Sequence, residues 1–254
     1  MGMEKFFDIV CRVGGMRPSA VVLVTTVRAI EHHGGVADHL SQDPADARTS
    51  VETGMANVRR HLAIVGEFGV PCVVAVNRRP EDTDEELERV CALAREAGAF
   101  AVEIHDAFQK GGVGAAKLAS AVVDACGQPS NFHQLYPDDA PIREKIETVA
   151  RRVYGAGKVF FYPEAERNID DFERDGLGHF PVCMVKTHLS VSADPTQINA
   201  PEGYTVPVRD VRAYTGAGWL VALCGAIQQM PSLGRRPAAV NVDIDAEGRI
   251  VGLF

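Results

Sequence analysis

The chain has 254 residues, 46% hydrophobic and 24% charged, enough for one large domain or two modest ones with a core of ordinary size. Its net charge of −8 excludes a general polyanion-binding surface, and the pairs Arg59-Arg60, Arg151-Arg152 and Arg235-Arg236 are expected on solvated faces rather than in a nucleic-acid patch. No run reaches the ~18 apolar residues of a membrane span, and MGMEKFFDIVCR at the start lacks the pattern of a secretion signal.

Ala20 to Val27 (AVVLVTTV) is a continuous β-branched run after Pro18 and reads as a strand buried on both faces. A polar loop is expected from Glu31 to about Asp46, then a helix from Asn57 to Phe68 that stops at Gly69. Pro71 opens a strand, Cys72 to Val76. A helix with an acidic first turn, which suits the positive end of its dipole, begins near Asp84 and ends at Gly98. Phe100 to Ile104 is the third strand and Ala115 to Ala125 the helix after it. Such alternation with short links means a parallel sheet with right-handed crossovers.

Residues 127 to 141 (GQPSNFHQLYPDDAP) hold three prolines and many polar groups, and a boundary is placed there. The fold class is therefore α/β: residues 1–130 form a partial parallel sheet with flanking helices, and 131–254 a smaller mixed α+β domain. In the second part the expected helices are Ile142 to Tyr154 and Glu164 to Arg174. The expected strands are Lys158 to Tyr162, Val182 to Thr187, Tyr204 to Val208 and Trp219 to Leu223, followed by a hairpin of Ala239 to Ile244 and Arg249 to Phe254.

The six cysteines form no C-x-x-C pair and lie mostly in apolar runs, so a reducing, cytoplasmic setting without disulfides or zinc is expected. His32-His33 and His39, with Asp38 and Asp43, offer metal donors in one loop, but adjacent histidines usually point apart, so no metal is assigned. His61 and His105 read as hydrogen-bonded structural groups. Gly216-Ala217-Gly218 lacks the third Gly of a dinucleotide fingerprint and reads as a tight turn. No nucleophile signature of the Ser/His/Asp or Cys/His kind occurs, and no catalytic residue is assigned.

Ligands of open parallel sheets sit at the carboxyl ends of the strands. The runs VVAVNRRPEDTDEE (Val73 to Glu86) and VEIHDAFQKGGVG (Val102 to Gly114) would put Asn77, Arg78, Arg79, Asp106, Phe108 and Lys110 on one rim. Lys110-Gly111-Gly112 before a helix reads either as an anion site or as a plain tight turn. Phe108 reads either as a platform for a planar heterocycle or as a plug at the sheet edge.

Several segments in order resemble formate–tetrahydrofolate ligase: EKFFDIVCR (Glu4 to Arg12), RPSAVVLVTTVRAI (Arg17 to Ile30), GMANVRRHL (Gly54 to Leu62), FGVPCVVAVNRRPEDT (Phe68 to Thr83), QKGGVGAAKLA (Gln109 to Ala119), PVCMVKTHLSVSADP (Pro181 to Pro195), GAGWLVALCGAIQQMPSLG (Gly216 to Gly234) and GRIVGLF (Gly248 to Phe254). The resemblance is to the C-terminal part of that family only. It implies a portion of a P-loop-NTPase-like domain whose phosphate-binding half is absent from this chain. It also implies one-carbon chemistry in which ATP and formate give a formyl phosphate that is passed to tetrahydrofolate. ATP and Mg would be held only by the absent N-terminal half. Tetrahydrofolate is the implied substrate here, with Asn77, Arg79, Phe108, Lys110, Gly111, Gly112 and Arg28 lining its site. The family's stacking Phe and Trp are matched by Arg79 and Phe108, and the Asp and Thr of its GDIMTMP-type loop by Ala226 and Gln229.

Two readings follow from the resemblance, beside the blander one of a degenerate fragment with no specific ligand. The chain supplies the folate-binding wall of a ligase completed by an N-terminal-half subunit, or it is a stand-alone inactive paralogue that binds a small molecule or regulates a partner. Either way an uncovered sheet edge implies a homo-oligomer or a partner subunit.

Overall fold

A computed structural model describes residues 2–35, 44–227 and 237–252. The chain opens with helical turns α1 (Met3–Lys5) and α2 (Arg12–Gly14), joined by a π-wound stretch, Phe6–Cys11. Strand β1 (Val21–Thr25) follows, then α3 (Val27–His33) and α4 (Pro44–Gly66), β2 (Cys72–Asn77), α5 (Asp84–Glu96), β3 (Ala101–His105), the single turn α6 (Ala107–Lys110) and α7 (Gly112–Cys126). β1, β2 and β3 form a parallel sheet in that order.

The expected loop from Glu31 is partly helix. Val27, taken as the end of the strand on its β-branched character, is with Ile30 a buried residue of α3, which starts because the Thr26 side chain accepts the Ala29 N–H at 3.1 Å. α4 begins at Pro44, well before the expected Asn57. His39, Asp38 and Asp43 lie outside the described residues. α5 starts with a reciprocal box in which Thr83 accepts from the Glu86 N–H and Glu86 accepts from the Thr83 N–H.

The expectation that the first strand is buried on both faces fails at β1. β2 is buried on both faces, whereas Val22 and Val24 on β1 are 41% and 60% exposed. Helices α4 and α5 cover one side of the sheet. On the other side α7 packs Ala121 and Ala125 over Val73, chiefly on β3 and β2. Val22 pairs with Val73 and so faces the same side, beyond the reach of α7.

After residue 127 the chain forms α8 (Ile142–Thr148) with a π-wound continuation, Val149–Val153, then β4 (Lys158–Phe161), α9 (Pro163–Arg174), β5 (Val182–Val185), β6 (Thr205–Tyr214) and β7 (Trp219–Cys224). The second sheet runs β4-β6-β7-β5, with two parallel pairs around an antiparallel β6–β7 hairpin, so this half is mixed as expected. Residues Gly216-Ala217-Gly218 make the tight turn of that hairpin. β6 runs six residues past the expected end because a bulge between Val208 and Asp210 breaks the alternation that a sequence pattern follows. A short hairpin, β8 (Asp243–Ile244) with β9 (Ile250–Val251), lies beyond.

One contiguous core reaches across residues 127–141. Phe7 packs on Phe68 and Phe132, with ring centroids 4.7 and 5.4 Å away. Around it Glu4, Asp8 and Arg12, four residues apart, are turned inward. Tyr154 donates to Glu4 at 2.5 Å, the Leu135 N–H donates to Asp8 Oδ1 at 3.0 Å, and Arg12 donates to the Tyr136 carbonyl at 2.9 Å. On the far side, Asn199 in a left-handed conformation (φ 69°) donates its N–H to His33 Nδ1 at 3.0 Å and accepts from Asn57 at 2.7 Å. Arg60, expected on a solvated face, is instead only 14% exposed and lies 3.6 Å from Glu202. All six cysteines are free thiols.

Asp8 gives this joint a pH dependence. Burial pushes its carboxyl from 3.8 up to about 6, against the lowering effects of the Leu135 N–H and Arg12, and its Oδ2 has no hydrogen-bond partner. A carboxyl whose folded pKa is raised contributes stability that is full below its unfolded pKa, about 4, and is lost as pH climbs through 6. The expected size is on the order of 2–3 kcal/mol. In Asp8→Asn, which keeps the Oδ1 acceptor, stability measured by urea unfolding should lose this fall between pH 4 and 7. Parallel profiles for the two proteins would refute the assignment.

Candidate functional site

The in-register pairing of Asn77 with His105 brings the ends of β2 and β3 level, and the Arg78 N–H donates to the His105 carbonyl at 2.9 Å, tying the two following turns together. In the first turn the Arg79 N–H donates to Asp82 Oδ2 at 2.8 Å. The Arg78 guanidinium bonds Asp84, and Arg79 Nε lies 3.6 Å from Glu81. In the second turn Asp106 accepts the backbone N–H groups of Gln109 and Lys110 at its carbonyl, both at 3.0 Å, and its carboxylate pairs with Lys110. The hydrogen bond from Lys110 holds the Asp106 carboxyl below the usual carboxylate range. Gly111, at φ 60° and ψ −144°, makes the reversal that lets α7 begin at Gly112 with no side-chain cap.

Asn77, Arg78, Arg79, Asp106, Phe108 and Lys110 therefore share one rim at the carboxyl end of the parallel sheet. Arg28 is exposed in the first turn of α3, at the same end, because Thr25 is level with Val76. Phe108 is 93% exposed, so it plugs nothing: its ring stands in solvent above the turn.

The sequence did not signal three polar atoms at the rim. Asn77 Oδ1, Arg78 Nε and His105 Nδ1 are shielded from solvent and have no hydrogen-bond partner. For His105 this corrects the expectation of a satisfied structural group. Unmade hydrogen bonds of this kind cost about 1–3 kcal/mol each, and Asn77 and His105 are paired directly across the ends of β2 and β3. Glu31 was also missed: on α3 it faces Asp82 and Glu86, and burial first, then these like charges, raises its carboxyl. Its approach depends on α3, a helix that the strand-like residues Val27 and Ile30 conceal.

The other candidates fall elsewhere. His33 is spent on Asn199, and burial lowers its pKa. His61 is held down to about 4, chiefly by burial, and lines a cavity of about 620 Å³ with Phe6, Val22, Val24 and Gly54. That cavity lies against β1 rather than at the rim, which is an open shelf. Ala226 borders a cleft of about 270 Å³ with Thr187 and His188, and Gln229 lies outside the described residues. Among the described residues no group of His, Cys, Asp or Glu is placed to hold a metal ion, and no helix is long and apolar enough to cross a membrane.

The fold is that of an open α/β protein whose parallel strands end in a rim of polar and charged side chains. The family model described as formate–tetrahydrofolate ligase matches residues 1–254. The ligase of Desulforamulus reducens is 48% identical over 260 residues, that of Roseiflexus castenholzii 48% over 259, and that of Maricaulis maris 48% over 255. Each match takes in 100% of this chain and 46%, 46% and 45% of the respective relative. The chain belongs to the formate–tetrahydrofolate ligase family, and it spans about half the length of the curated relatives it matches.

The second turn sets a sharp test of this geometry. A Cβ on Gly114 would fall 2.4 Å from Asp106 Oδ1 and 2.8 Å from the Asp106 backbone, whereas a Cβ on Gly112 meets nothing within 4 Å. Gly114→Ala should cost about 1–3 kcal/mol in urea unfolding, and Gly112→Ala should be tolerated. Equal effects would mean that the turn is not packed as described.

Proposed function

We propose that this chain supplies the folate-binding wall of an ATP-dependent formate–tetrahydrofolate ligase, working in the cytoplasm. The half that holds ATP and Mg is contributed by polypeptide outside these 254 residues. The observation that carries this reading is the rim itself, where an exposed Phe108 shares two turns with unpartnered polar atoms and with the ion-paired cations Arg78, Arg79 and Lys110. Phe108 stacks on the pterin ring. Asn77 and the neighbouring Arg78 and His105 meet its polar edge. Arg79 lies flat on the opposite side through its planar guanidinium or reaches the glutamate tail. Lys110, Gly111 and Gly112 hold an anionic group at the start of α7, and Arg28 adds charge from α3.

The chain's own part in the reaction is positioning. It orients the amine of the folate and excludes water from one side. Phosphoryl chemistry needs residues this chain does not contain: its sequence has no G-x-x-x-x-G-K-[ST] loop. The partner docks where the sheet is unfinished. β1 hydrogen-bonds only β2 among the described strands, its Val22 and Val24 are bare, and Gly2, Met3 and Phe6 line the cavity beside it. A strand added there would cover the edge and fill the cavity.

A second reading rests on Arg79 and Ala226, which stand where the family has a stacking Phe and an Asp: a stand-alone binding module without turnover. Calorimetry with tetrahydrofolate addresses the shared premise. Saturable binding is expected, and Phe108→Ala should weaken it about tenfold, roughly 1.4 kcal/mol, without lowering the melting temperature, because the ring packs on nothing. Absence of saturable binding by the unaltered chain would sink both folate readings.

A further inference from the structure

The hairpin β8–β9 has a division of labour that no part of the site explains. Its tip satisfies its own polar groups. The Asp245 N–H donates to the Arg249 carbonyl at 2.9 Å, Asp245 Oδ1 accepts from the Glu247 and Arg249 N–H groups at 3.0 and 2.8 Å, and Arg249 pairs with both Asp245 and Glu247. Its flanks leave their apolar groups bare. Val242, Ile244 and Ile250 are 40%, 67% and 62% exposed. Ile244 pairs directly with Ile250, and Val242 is two residues from Ile244, so the three share one face. The opposite face carries Asp243 beside Val251.

A lone two-stranded ribbon is marginal in water. Here a stiff, self-bonded tip presents an aliphatic ridge, which is the design of an arm rather than of a surface loop. We infer that residues 240–251 are a docking arm whose ridge of Val242, Ile244 and Ile250 seats on an apolar surface of the ligase half lying outside this chain. More than half of each relative lies outside the match, so a partner of that kind has the size to reach both uncovered places, the β1 groove and this arm. The inference rests on the assembly described under Proposed function, to which it adds a second grip at the opposite end of the sequence.

The test compares this chain alone with a single-chain chimera in which it replaces the matched part of the Desulforamulus reducens ligase. Hydrogen exchange of the amides of residues 240–251 is the readout. Fast exchange is expected in the chain alone and exchange slowed at least tenfold in the chimera. The pair Ile244→Asp and Ile250→Asp should abolish that slowing and lower the melting temperature of the chimera, but not that of the chain alone. Equal exchange in both proteins overturns the arm. So does slow exchange in the chain alone at high concentration with a doubled mass by light scattering, which would assign the ridge to a second copy. Formate ligation by the chimera reports separately on the proposed function. A protected hairpin in an inactive chimera would leave the arm standing and remove the ligase reading, and active chimera with an unprotected hairpin would do the reverse.

Discussion

Two sheets that share no strand pairing are held as one body by a short helical stretch that buries charge. Glu4, Asp8 and Arg12 recur every four residues and each finds its partner in residues 135–154, while Phe7 on the same stretch fills the space between Phe68 and Phe132. Apolar packing alone would let this stretch slide or turn. Buried polar groups do not tolerate that, since each displaced bond leaves a desolvated group without a partner. Phe68 links this stretch to the segment that leads into β2.

The rim illustrates how a parallel sheet separates stability from recognition. β2 is among the most deeply buried parts of the molecule, with Val73 through Val76 fully covered, yet one residue later Asn77 is half-exposed. The bond from the Arg78 N–H to the His105 carbonyl extends the ladder one step into the loops. Side chains such as Phe108 can then stand unsupported without the backbone beneath them moving. The support of the rim thus comes from the buried strands beneath it.

Much of this was legible in the chain itself. The alternation of apolar runs with Gly and Pro stops located β2, β3, α5 and α9 to within a residue or two, and the polar residues just past each run placed the rim. What escaped did so for physical reasons. Val27 and Ile30 are β-branched but helical, because the Thr26 cap and packing on α4 outweigh a weak intrinsic preference. The bulge in β6 broke a period of two, and the π-wound Val149–Val153 has no signature in a 3.6-residue pattern. The exposure of Val22 and Val24 could not be read at all, since a run buried on both faces and one awaiting cover are the same letters. Unpartnered atoms such as His105 Nδ1 belong to the same class: they are properties of an arrangement, not of a composition.

The bonds that close this fold span long stretches of sequence. Tyr154 and Glu4 are 150 residues apart, and Asn199 and His33 are 166 apart. On the ribosome, Glu4 emerges long before its phenol. At about 5–20 residues per second, the acids of the first helical stretch wait on the order of 10–30 s for the groups that will bury them. In the last part of that interval, once β3 has been made, the parallel sheet has its strands but not its brace. Until then the apolar side chains of β1 lack the cover that the second half of the chain braces, so the topology itself sets a delay between making the first elements and closing the fold.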